Sequence, residues 1–192
     1  MRRNTLVTIR ALVFCAMLAA LSVVMARFFC FATPDGVRWS LDKFPLFLAG
    51  MLGGPVLGAL TGFVADFTGS LMQFGFNPFL CPPAILYGLF GGLLRRYIQK
   101  NPSILRLGIS YLLPVVIGSI LYQSCALAYF FFKDGPFSEG LIYYLGTRSV
   151  QLSIMLVAET FILYMLLKVL LKTNMLTRLG FWPKLNERKS AE

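Results

Sequence analysis

The sequence predicts an all-α, polytopic membrane protein of six transmembrane helices with both termini in the cytoplasm. Three observations carry that prediction: a large excess of apolar residues, apolar runs of bilayer length, and basic residues gathered at the ends of those runs. Of the 192 residues, 57% are apolar and 14% charged, and the mean hydropathy is +0.72. Soluble domains hold roughly 45–50% apolar and about 25% charged residues. A soluble globule of this length could not bury the surplus, and the exposed remainder would aggregate.

A helix needs about 20 apolar residues to cross the hydrocarbon core. Five apolar stretches are visible, at 6–29, 44–72, 79–97, 104–132 and 140–171. The basic residues test that count. Arg2, Arg3 and Arg10 precede the first stretch; Arg95, Arg96, Lys100 and Arg106 follow the third; Lys168, Lys172, Arg178, Lys184, Arg188 and Lys189 close the chain. These three places hold thirteen of the eighteen basic residues, and the positive-inside rule makes all three cytoplasmic. Two cytoplasmic ends require an even number of crossings. The 44–72 stretch resolves the parity, because Gly53-Gly54-Pro55 can end one helix and start another.

The expected helices are therefore 6–29, 41–52, 55–72, 79–97, 104–132 and 140–171. The second is too short to cross unless neighbours shield its ends. Residues 1–175 form a single membrane domain and 176–192 a basic cytoplasmic tail. Val24-Met25-Ala26 resembles a processing site, but everything downstream is equally membrane-like, so the first helix is expected to be retained.

The formal charge of +10 does not indicate nucleic acid, because the basic residues lie at run ends rather than on a face interleaved with stacking aromatics. The chain has no His, which removes the commonest metal ligand and general base. Cys15, Cys30, Cys81 and Cys125 are scattered without paired spacing and read as small packing residues. No P-loop, HExxH or GxSxG motif occurs. No cofactor and no catalytic activity is expected, and the lipid bilayer is the first partner.

Gly50, Gly54, Gly58, Gly62, Asp66 and Ser70 recur every four residues. That spacing makes a bare stripe along which another backbone can approach. Asp66 adds a carboxylate that costs about 2.5–3.5 kcal/mol to place in a membrane helix, so it should face a partner or a wet cavity. Arg27 ends the first helix on the outside, Arg38 lies in the next loop, and Arg148 lies near the outer start of the last helix. Gln151, Met155 and Glu159 continue the Arg148 face at helical spacing. These residues predict an outer site for a ligand with negative and hydrogen-bonding groups. Snorkelling arginines and a structural ion pair for Asp66 are the plainer alternatives. Phe76 and Asn77, in an aromatic loop, and Trp39 can cover such a site by stacking on a flat heterocycle or can form an interfacial belt. Ala16 and Ala20 make one small-residue row on the first helix, and Ala11, Cys15 and Ala19 make a second beside it.

Ala-Leu-Ser-Val-Val-Met-Ala-Arg-Phe at 20–28, Leu-Ala-Gly-Met-Leu-Gly-Gly-Pro-Val-Leu-Gly-Ala-Leu-Thr-Gly at 48–62 with Asp66 and Gly69 following, and Ile-Leu-Tyr-Gly-Leu-Phe-Gly-Gly at 85–92 resemble the substrate-binding (S) subunits of energy-coupling factor (ECF) vitamin transporters, of the folate type. The resemblance implies a folate-like vitamin bound at an outer-facing pocket. It also implies a transmembrane coupling subunit docking at Ala16 and Ala20, two partner ATPases, and a bacterial plasma membrane. The segment 74–80 replaces the family's Pro-x-Gly and Gly-Phe-Thr pattern, which leaves another heterocyclic vitamin or precursor open. A membrane assembly subunit without a ligand is the alternative from a different class.

Overall fold

The computed structural model describes the backbone of residues 2–32, 38–72, 77–131 and 136–173, with side chains from residue 9 onward except at 31, 32, 38 and 131. The predicted tail, Phe76 and the Arg38 side chain fall outside the described residues.

Helix α1 spans Arg2–Phe28. Ala11, Cys15, Leu18, Ala19 and Ser22 turn inward, while Leu12, Val13, Met17 and Val24 are exposed, a split that helical periodicity imposes on one continuous apolar run. Strands β1 (Cys30–Ala32) and β2 (Arg38–Ser40) follow, antiparallel, with Phe31 opposite Trp39. The fold is all-α as expected, and this short hairpin is an addition between α1 and the next helix that the sequence reading did not foresee. Three-residue strands are too short to show a two-residue period in the sequence.

Helix α2 (Lys43–Gly53) is the centre of the molecule. Every residue from Phe44 to Leu52 is buried, as expected of a helix that is apolar on all sides. At Gly54 the chain takes φ 92°, a conformation that costs glycine little and other residues much. Pro55 then opens α3 (Pro55–Leu71) at the first helical position, where its missing N–H removes no hydrogen bond.

A turn at Pro78–Leu80 leads to α4 (Pro82–Leu93). A Cβ on Gly58 would collide with the Gly88 carbonyl, and one on Gly88 with the Gly58 carbonyl, so α3 and α4 touch backbone to backbone. The glycine stripe is thus a helix-packing surface, and it is divided between α2 and α3 by the turn at Gly54. The expected 79–97 helix is broken at Leu94, beyond which α5 (Arg95–Lys100) begins.

Helix α6 (Ile104–Pro114) continues through a π-helical stretch, Val115–Tyr122, into α7 (Gln123–Phe131). Pro114 supplies no N–H and crowds the preceding turn, which accounts for the widened helix that follows it. Helix α8 (Phe137–Lys172) has 36 residues and starts three residues earlier than expected. At about 1.5 Å per residue it is near 54 Å long, more than the roughly 30 Å hydrocarbon core.

Among the described residues, three helical runs are long and apolar enough to cross a membrane: Ile9–Phe28, Ile104–Phe130 and Phe137–Lys172. Lys43–Gly53, Pro55–Leu71 and Pro78–Leu93 are shorter apolar helices. Apolar side chains such as Met17, Val56, Leu105, Ile142 and Val157 are exposed on the outside of the bundle, the surface that lipid covers. The chain is a multi-pass membrane protein.

Candidate ligand site

Polar side chains gather inside the bundle where α2, α4, α6 and α8 converge. Glu159 of α8 is 3% exposed, and its Oε2 accepts a 2.6 Å hydrogen bond from the Tyr111 hydroxyl of α6. The Tyr111 ring packs edge-on against Phe47 with centroids 5.1 Å apart and lies 5.4 Å from that of Tyr87. The Tyr87 hydroxyl in turn shares a 3.0 Å hydrogen bond with Ser119 of the π-helical stretch. Nearer the start of α8, Arg148 Nη2 donates to Gln123 Oε1 at 2.9 Å, and Gln151 is buried below it. The Arg148–Gln151–Glu159 face expected from spacing therefore points inward.

A second charge group sits where the hairpin enters α2. The Asp42 carboxylate accepts from Lys43 Nζ at 2.8 Å and from the Ser40 hydroxyl at 2.7 Å. Its backbone carbonyl accepts from Ser22 of α1 at 2.7 Å. Burial alone would raise the Asp42 carboxyl, but the adjacent Lys43 ammonium, the bond it donates and the Ser40 hydroxyl hold it below its ordinary value. Lys43 also lies within electrostatic reach of Asp66 and Glu159. Asp66, on α3, has the Cys81 thiol against it.

Four charged side chains end without a hydrogen-bond partner at one buried atom among the described residues; one of them, Glu159, does so at Oε1 while its Oε2 holds Tyr111. Arg27 Nη2, Asp66 Oδ2 and Arg148 Nε are all buried and unsatisfied among the described residues. Arg27, Asp66 and Arg148 make no ion pair with one another. In a membrane protein an unsatisfied buried charge is costly, so these atoms mark places where a bound molecule would supply the missing partner.

The remaining predicted residues are placed as follows. Trp39 is half-buried on β2. Asn77 caps the turn before α4, its Oδ1 accepting from the Phe79 N–H at 3.1 Å, so its carbonyl is engaged locally. Ala16 and Ala20 are exposed on α1 while Ala11, Cys15 and Ala19 are buried, which separates the two small rows into an outer and an inner one. Sequence reasoning missed Tyr111, Tyr87, Ser119 and Gln123. All four are ordinary members of apolar runs, and only the π-helical stretch, foreshadowed by Pro114, hinted that this helix had an irregular inner face.

The model of the family described as the ECF transporter substrate-specific component matches residues 10–176. The chain belongs to that family. This S component also resembles a solved structure, the crystal structure of FolT bound with folic acid, with a TM-score of 0.63 and 25% identity over 78% of this chain and 87% of that one. Sensor protein LytS of Enterococcus faecalis (strain ATCC 700802 / V583) is 26% identical over 93 residues. That match covers 48% of the S component but only 15% of LytS, so the chain spans a small fraction of that relative. Members of the family are the substrate-specific components of ECF transporters.

Proposed function

We propose that this S component binds folate at an outward-facing pocket and delivers it to an ATP-driven importer made with a transmembrane coupling subunit and two ATPases. The single observation that carries the reading is the set of buried, unsatisfied charged atoms on Arg27, Asp66 and Arg148, in a chain whose solved neighbour FolT holds folic acid. A folate combines what those atoms lack. Its glutamate carboxylates accept charge-assisted hydrogen bonds from guanidinium groups, and its pterin amino and ring N–H groups donate to a carboxylate.

In this assignment Arg27, Arg38 or Arg148 pairs with the carboxylates, and Asp66 accepts from the pterin. Gln151 and Asn77 supply further hydrogen bonds, and Trp39 and Phe76 stack on the flat ring. The chain crosses the membrane six times with both termini in the cytoplasm of a bacterial cell, which places Arg27, Asp66 and Arg148 toward the outer side. Ala16 and Ala20, exposed on α1, form the face that docks on the coupling subunit.

Titration of the detergent-purified chain with folic acid and with unrelated vitamins tests the reading. Binding of folic acid below about micromolar, lost on Asp66→Asn and Arg148→Gln, is the expected result. Absence of saturable folic-acid binding in a folded preparation rejects it.

A further inference from the structure

The interior holds three polar pairs between helices, two of which involve α8. Tyr111–Glu159 and Tyr87–Ser119 are built from a carboxyl and hydroxyls. Gln123–Arg148, eleven positions or roughly 16 Å along the helix from Glu159, is different in kind. A half-buried guanidinium in a membrane protein ordinarily meets a carboxylate, because desolvating an uncompensated cation is costly. Arg148 instead meets a neutral amide. Gln123 Oε1 accepts one Nη2 hydrogen at 2.9 Å and so orients the planar group without cancelling its charge, while Nε stays buried with no acceptor among the described residues.

The helix supplies the reason Gln123 is there. It is the first residue after the π-helical stretch Val115–Tyr122, which starts behind Pro114 and also brings Ser119 to Tyr87. Ser119 and Gln123 are four residues apart and meet α4 and α8 respectively. The irregular turn thus presents two hydrogen-bonding side chains to neighbouring helices, a use typical of π-helical insertions near functional sites.

We propose that Gln123 is a positioning and specificity residue, which holds Arg148 in a fixed orientation as an uncompensated cation for a carboxylate of the ligand. This deepens the folate reading and rests on it for the identity of the ligand, but not for the state of Arg148 in the empty protein. A glutamate at 123 would orient Arg148 equally well and neutralise it. Gln123→Glu should therefore stabilise the ligand-free protein and weaken binding of an anionic ligand at the same time.

The test uses the full chain in detergent, with folic acid and with folic acid whose two glutamate carboxyls are converted to amides. Gln123→Glu is expected to lose about tenfold or more in affinity for folic acid while its affinity for the diamide changes far less. Without ligand it should unfold at a higher temperature than the wild type, and Arg148→Gln added to it should remove that gain. Gln123→Met, of similar length but without an acceptor, should lose discrimination between the two ligands with no gain in unfolding temperature, and it serves if Gln123→Glu fails to fold. Equal losses for both ligands in either variant, or an unfolding temperature of Gln123→Glu at or below the wild type, overturn the proposal. A wild-type chain that binds neither ligand rejects folate alone. The unfolding comparison then still decides the role of Gln123, since it needs no ligand.

Discussion

At the scale of single residues, the chemistry of the interior depends on hydrogen bonds between groups that cannot reach water. Tyr111 is fully buried, and its hydroxyl donates to Glu159 Oε2. Removing that hydroxyl leaves a buried carboxyl oxygen unsatisfied, which costs roughly 1–3 kcal/mol. Tyr111→Phe should lower the unfolding temperature of the ligand-free chain, and an unchanged melting curve would show that Glu159 finds another partner. Asp42 gives a pH signature outside the membrane-spanning segments. Its folded pKa lies below the ordinary value, so its stabilising contribution is complete above the unfolded pKa of about 3.9 and disappears as pH falls through the lower folded value. Asp42→Asn should therefore flatten the loss of thermal stability below about pH 4 relative to the wild type, as scanning fluorimetry across that range would show.

At the scale of elements, the packing of α3 on α4 depends on Gly58 and Gly88 facing each other with no side chain between. Gly88→Ala would push two backbones apart, and overpacking of this kind costs typically about 1–3 kcal/mol. The expected outcome is a lower unfolding temperature together with weaker ligand binding, since α3 carries Asp66 and α4 carries Tyr87. An equally strong effect from Gly69→Ala, where a Cβ meets nothing within 4 Å, would contradict this account. The apolar runs and the Gly-Gly-Pro break between α2 and α3 were legible beforehand, because hydropathy and backbone restriction are properties of the local chain. The hairpin at Cys30–Ser40 and the π-helical stretch were not. Each arises from how a short segment meets distant helices.

At the scale of the whole molecule, the two small-residue rows on α1 have opposite fates. Ala11, Cys15 and Ala19 pack inside, whereas Ala16 and Ala20 lie exposed on the outside. If the exposed row docks on the coupling subunit, replacing both alanines with leucine should abolish co-purification with that subunit and ATP-driven uptake, while folic-acid affinity in isolation stays near the wild-type value. Loss of binding and docking together would instead assign that face to the fold of the S component itself.

The sequence by itself determined that this is a membrane protein, which runs form helices, where the chain breaks between α2 and α3, and which charged residues are too costly to be incidental. Those conclusions follow from hydropathy, charge position and backbone restriction, which need no knowledge of neighbours. Only the tertiary structure decided what each costly residue meets. Arg148 faces Gln123 across two helices, Glu159 faces Tyr111 from 48 residues away, and Arg27 and Asp66 each end in a buried atom with no partner among the described residues. A hydrogen bond reaches about 3 Å, so its partner is settled by how helices pack, and helical spacing along one segment cannot name a residue on another.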